Sequence, residues 1–299
     1  MHDILIKKGR VIDPVQGLDK ELDIGICGDK IAALAADIPP QEGRRVLDVE
    51  GRIVTAGIID LHCHVYPGIF VHGIEPDIAG VSQGVTTVVD GGSAGYATFG
   101  GFPKYVSPSC LTTVYCFLHL GATGQSITPE LMDWDEINVD AMTETIESNR
   151  DIIKGIKLRM VGRLAATAGV KLVATAKKVA NHFNLPIMVH IGDDIGTTSP
   201  IPQNLTRDFL PLMEAGDILT HVYTGKVGNI LRHDSEVLPE LREAKKRGGD
   251  SGCRSWSDQH QLRGSYQEYD SGRIAHNYKQ RRLPSNTSWS RIWPNSNNV

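Results

Sequence analysis

Six apolar runs, each followed by a connecting stretch and several of those long and of mixed polarity, constrain this chain more than any other feature. They are Ile53-Val54 through Ile58-Ile59-Asp60-Leu61, Gly84 to Asp90, Leu111 to Leu118, Ile152 to Leu158, Leu185 to Val189, and Asp217 to Thr220. Short runs without polar alternation read as strands buried on both faces, and such strands belong to parallel sheets. The clearest stretch between them carries Leu172, Ala176, Val179 and Phe183 at helical spacing. Six strand-helix units predict an α/β fold, a (β/α)8 barrel of the TIM type rather than an open sheet, incomplete after strand six.

Residues 1–53 have another rhythm. Asp3 to Lys7 and Leu22 to Ile26 alternate, and Gly9-Arg10, Gly28-Asp29-Lys30 and Pro39-Pro40 punctuate them. This predicts a small amino-terminal β-sandwich domain, too short to bury much core alone. The barrel then covers residues 54–248. A break follows at Gly248-Gly249, and residues 249–299 hold nine Ser, six Arg and three of the four Trp with neither strand nor helix period.

Composition excludes some functions. A net charge of -4 opposes a general nucleic-acid or polybasic membrane-binding role. No apolar run reaches the ~20 residues of a membrane span. Met1-His2-Asp3 lacks the basic start of a signal peptide, so a cytoplasmic location is expected. The five cysteines form no CxxC pair. Only Cys63, between two histidines, invites a nucleophilic reading, and nothing near it supplies activation. Gly121-Ala122-Thr123-Gly124 lacks the Gly-Lys-Ser/Thr ending of a nucleotide cradle.

The chemistry gathers at strand ends. His62-Cys63-His64 closes the first barrel run, and residues two apart on a strand point the same way. His190 and His221 close the fifth and sixth runs. Each alone reads as a satisfied core histidine. Together they would deliver four imidazoles to the barrel mouth, where such folds build active sites, and imidazole is a common ligand for zinc. Lys157 lies inside the fourth run, where an ammonium is costly unless paired or chemically altered. An ammonium has only donors, so Lys157 binds a metal only after losing its charge. Lys154, three residues earlier, is the runner-up.

With these residues, the chain resembles the amidohydrolase superfamily, on the branch of amidohydrolase/deacetylases related to dihydroorotase. The resemblance spans residues 1 to about 248. It includes Ile4 to Pro14, Val54-Thr55-Ala56-Gly57-Ile58-Ile59-Asp60-Leu61-His62-Cys63-His64, Gly84 to Asp90, and Asp90-Gly91-Gly92-Ser93-Ala94-Gly95. It implies two divalent metal ions, usually zinc, with His62 and His64 on the more buried one and His190 and His221 on the other. Lys157, carboxylated to a carbamate, would bridge them. The implied reaction is hydrolysis of an amide, cyclic amide or N-acetyl bond of a small molecule. Arg159 and Tyr66 are candidate contacts for a substrate carboxylate, and a homo-oligomer is expected of the intact protein.

The family's strand-eight aspartate has no counterpart in a buried run here: Asp250, Asp258 and Asp270 lie in none. A frameshift would explain the tail. Read one nucleotide later from Gly249, compatible codons can encode an apolar strand, an amphipathic helix and a strand ending in aspartate. The alternative to an enzyme is a non-catalytic scaffold that keeps the fold and oligomerises.

Overall fold

Alternating side chains in the first two thirds of the small domain pair as β1 (His2–Asp13), β2 (Leu18–Cys27) and β3 (Lys30–Ala35), joined antiparallel. The next strands, β4 (Gly43–Asp48) and β5 (Ile53–Thr55), run parallel to β1, β4 along its first half and β5 along its second. The result is one five-stranded mixed sheet. Val11, Leu22 and Ile24 are its buried apolar centre, with Ile6, Ile26 and Val54 packed around them. The computed structural model describes residues 1–127, 129–193, 201–222, 224–232 and 236–247. The aberrant tail, and with it the frameshift, lies outside the described residues.

The first apolar run is two strands rather than one. Ile53–Thr55 serves the small sheet, and after Ala56-Gly57 the chain re-enters as β6 (Ile58–Cys63), the first strand of the second sheet. Gly57 permits the crossing, since a Cβ there would stand 2.2 Å from the Thr86 hydroxyl oxygen. Beyond it come α1 (Pro76–Ala79), β7 (Val85–Asp90), β8 (Thr113–His119), α2 (Val139–Ser148) and β9 (Ile153–Arg159). Then follow α3 (Gly162–Ala168), α4 (Val170–His182), β10 (Ile187–His190), α5 (Leu205–Phe209), β11 (Ile218–Thr220) and α6 (Pro239–Arg247).

Strands β6 to β11 form one parallel sheet in sequence order. Laid flat, six strands would hold the first and last about 24 Å apart at ~4.8 Å per step. The rings of His62 on β6 and His221 just past β11 nonetheless meet with centroids 5.2 Å apart. The sheet is therefore curled, an open six-stranded part of a barrel.

Side-chain alternation sorts the two faces. Ile156 and Leu158 of β9, Ile187 and Val189 of β10 and Leu219 of β11 join the large core with Met142 and Ile146 of α2 and Leu172, Val173, Ala176, Val179 and Ala180 of α4. The predicted helical stripe is thus the buried face of α4, and Asn138 caps α2 by accepting the Ala141 N–H. On the other face Val89, Phe117, Met188 and Ile218 form a separate apolar layer inside the curl. One or two residues further along the strands that inner face becomes polar: His119, Lys157 and His190. No helix among the described residues is long and apolar enough to cross a membrane.

Candidate metal centre

The predicted residues meet at the carboxyl ends of the strands. His62 and His64 ring centroids are 5.5 Å apart, His62 and His221 5.2 Å, and His190 and His221 4.2 Å. Lys157 Nζ lies 3.2 Å from His62 Nε2. Four strands, β6, β9, β10 and β11, therefore bring five side chains into one cluster. His221 adopts φ 64°, the left-handed region that a non-glycine residue rarely takes, so the backbone is strained where its ring turns in.

Two glycines let the loop after β7 close over this cluster. A Cβ on Gly91 would stand 2.3 Å from His62 Cδ2, and one on Gly92 (φ +93°) 2.5 Å from Lys157 Cγ. Asp90, fully buried at the end of β7, anchors that loop. Its Oδ1 accepts the N–H groups of Gly92 and Ser93, and its Oδ2 accepts that of Val65 from the loop after β6. The Ser93 hydroxyl stands 2.8 Å from His64 Nδ1.

The electrostatics favour neutral nitrogen. Burial, with the Lys157 and Arg159 charges, lowers His62 and His190 far below the usual imidazole range. The same causes bring His64 to about 3 and His221 to about 4. Burial drives Lys157 well below an ordinary amine, Arg159 pushes the same way, and Asp90 opposes both. Neutral imidazoles carry the lone pairs a cation needs, and a neutral amine can react with carbon dioxide where an ammonium cannot. The chemistry of this donor set fits divalent metal ions. Among the described residues no three His, Cys, Asp or Glu side chains already stand as a metal-ligating group. The imidazoles converge through ring contacts instead.

Arg159, two residues after Lys157 on the same face, reaches the cluster's edge. It pairs with Glu130 and stands 3.5 Å from Gln125 Oε1, while Gln125 Nε2 donates to the Gly91 and Gly92 carbonyls. Tyr66 is not brought there. It is buried, its hydroxyl donates to the Thr98 carbonyl, and its ring stands edge-on to Phe102. Lys154 points away, with its ammonium over the Tyr115 ring and bonded to the Arg150 carbonyl. Burial pushes the Cys63 thiol far above its ordinary range, which leaves it unreactive.

One histidine escaped the sequence reading. His119 ends β8, is fully buried, and pairs in register with Lys157. Its Nδ1 accepts the Gly121 N–H, and its Nε2 has no hydrogen-bond partner among the described residues. The signal existed, because His119 follows the third apolar run as His190 and His221 follow theirs. Asp90 and Ser93 lie within Asp90-Gly91-Gly92-Ser93-Ala94-Gly95, whose spacing gives neither a role. Glu130 sits in a loop without period, where no pattern could have singled it out.

A cleft of about 940 Å³ beside α5 and the start of α6 is lined by Arg207, Lys226, Leu231 and Glu240 among others, and includes none of the clustered residues.

No protein-family model matches the chain. It is similar to a deacetylase of Agrobacterium fabrum, 34% identical over 72% of this chain and 52% of that protein. A deacetylase of Brucella anthropi is 33% identical over 75% and 55% respectively. The chain thus spans about half the length of these curated relatives. Among solved structures, that of an adenine deaminase superposes with a TM-score of 0.73 at 29% identity, covering 85% of this chain and 65% of the other. A dihydroorotase structure gives 0.62 at 32% identity, covering 76% and 59%.

Proposed function

The chain belongs to the amidohydrolase/deacetylase superfamily, and from that premise we propose that it is built for metal-dependent hydrolysis of an acyl C–N bond, an N-acetyl, amide or cyclic amide. The observation that carries the reading is the convergence of His62, His64, His190 and His221 on a fully buried Lys157 that has no carboxylate at hydrogen-bond distance among the described residues. His62 and His64 would hold one ion and His190 and His221 the other. Divalent ions held there supply the acidity that activates water and polarises a carbonyl at neutral pH.

The chain's own residues do the rest. Lys157 Nζ, kept from charging by burial, would bond the carbon of carbon dioxide and release one N–H proton to solvent, leaving an anionic carbamate with two oxygens. The fixed Asp90 loop and its glycines press backbone against His62 and Lys157 and exclude water from that side. Arg159 offers a guanidinium to a substrate carboxylate, in competition with Glu130.

A second reading, a metal-binding but non-catalytic scaffold, has one observation in its favour: among the described residues the sheet stops at β11. Metal content and turnover on N-acetylated and cyclic amide substrates separate the two. The enzyme reading expects roughly one or two metal ions per chain after purification with zinc, hydrolysis lost with chelation, and Arg159→Met raising KM for anionic substrates far more than for neutral ones. Metal without turnover supports the scaffold, and less than about one ion per chain sinks the metal reading.

A further inference from the structure

We propose that Ser93 is a positioning residue for His64: its hydroxyl oxygen accepts the Nδ1 proton, so that His64 offers its Nε2 lone pair to a cation. The proposal rests on the metal reading above and adds to it the direction of one proton.

The direction follows from the ring's other nitrogen. The Ser93 oxygen stands 2.8 Å from His64 Nδ1, so Nε2 is the nitrogen left to offer a lone pair to a cation. A neutral imidazole that gives Nε2 to a cation carries its proton on Nδ1, and the Ser93 oxygen has lone pairs to accept it. Asp90 takes three backbone N–H groups, from Val65, Gly92 and Ser93, at 2.6 to 3.0 Å, and so fixes the loop that presents the hydroxyl. One His64 nitrogen is thereby fixed as N–H and the other as a free lone pair.

The arrangement is rigid for a stated reason. Ser93 is fully buried, its backbone N–H is tied to Asp90, and Asp90 also holds Val65, the residue after His64. One carboxylate therefore positions both the ring and the hydroxyl that orients it. Ligand histidines that donate their second nitrogen to such a group lose ~10–100-fold in metal affinity when it is removed.

The test uses the full chain. Zinc affinity, measured by competition with a chelator, should fall about 10–100-fold in Ser93→Ala, while Ser93→Thr, which keeps the hydroxyl, stays near wild type. The melting temperature of metal-free Ser93→Ala should stay close to that of the wild type, because the backbone bond to Asp90 survives the substitution. Ring-nitrogen NMR of the metal-free wild type, assigned with His64→Gln, should show His64 protonated at Nδ1. That measurement tests the idea even if Ser93→Ala does not fold. Equal zinc affinity in wild type and Ser93→Ala, or an Nε2-protonated His64, overturns this proposal alone. A wild type that takes up no zinc overturns the metal reading and this proposal with it.

Discussion

Two lysines are buried around the same parallel sheet, at opposite ends of its strands, and their surroundings differ completely. Lys177 of α4 lies at the amino-terminal end, with its ammonium 2.8 Å from Asp217 Oδ2 and 2.7 Å from Glu214 Oε2. Asp217 also accepts the N–H of Ile187, the first residue of β10. Lys157 lies near the carboxyl end of β9 beside His62 Nε2, with Arg159 adding like charge. The first lysine is neutralised by a carboxylate and helps to hold β10 and β11 together. The second is buried with no carboxylate bonded to it, its cost opposed only by the charge of Asp90, and such a cost is kept where chemistry needs it. In barrels of this kind the amino-terminal face carries stability and the carboxyl-terminal face carries function.

The hardest test of that contrast is Lys157→Ala. Zinc uptake should fall by at least one ion per chain, and metal-free stability should hold steady or rise, because a costly buried amine is gone. Added bicarbonate should not restore the variant, whereas a small carboxylic acid should do so in part. Full metal occupancy in Lys157→Ala would end the bridging role and move it to Lys154, although that side chain faces the Tyr115 ring.

The contrast also explains what could be read from sequence. Strand ends marked by histidine, and a lysine inside an apolar run, are departures from pattern, so His62, His64, Lys157, His190 and His221 stood out. Period 2 in β1 and β2 and the stripe on α4 were equally plain. Tyr66 carried no such signal, and its burial against Phe102 depends on the loop at residues 91–106, which has no periodicity. The split of the first barrel run into β5 and β6 was hidden because Ile53–Thr55 is apolar for a different sheet. Ser93 and Glu130 act through loop geometry, which residue spacing does not encode.

Acid and alkali should break the two regions separately. In the metal-free chain the clustered imidazoles, with His119 at about 3 and His221 at about 4, stay neutral in the fold while the unfolded chain protonates near 6.5. The unfolded state therefore binds more protons between pH 6.5 and about 4, and stability falls as pH drops through that window, by ~1.4 kcal/mol per pH unit for each histidine involved. Carboxylates held low, such as Asp77 by the Thr112 hydroxyl, contribute loss only below 3.8. Lys177 is lowered by burial but raised more by its bonds to Asp217 and Glu214, so its folded value is above 10.5. Its contribution is fully present below pH 10.5 and is lost as pH rises through the folded value. Denaturant titrations of chelated protein across pH check both limbs, and a stability flat from pH 7 to 4 would contradict neutral histidines at the mouth.

The smallest effects are expected at the Lys177–Asp217 pair, and their interest lies in what they leave alone. Asp217→Ala removes the partner of a buried lysine and orphans the Ile187 N–H, a loss of about 3 kcal/mol in unfolding free energy. Lys177→Met should cost less, because Asp217 keeps its bonds from Ile187 and Glu214 N–H and the methionine fills the space with apolar atoms. Neither change touches the strand ends where the histidines meet, so zinc content per folded chain should equal that of the wild type in both. An Asp217→Ala protein that unfolds as the wild type does but loses zinc would reverse the assignment of the two ends, placing the stabilising work at the mouth and the metal-dependent work at the base.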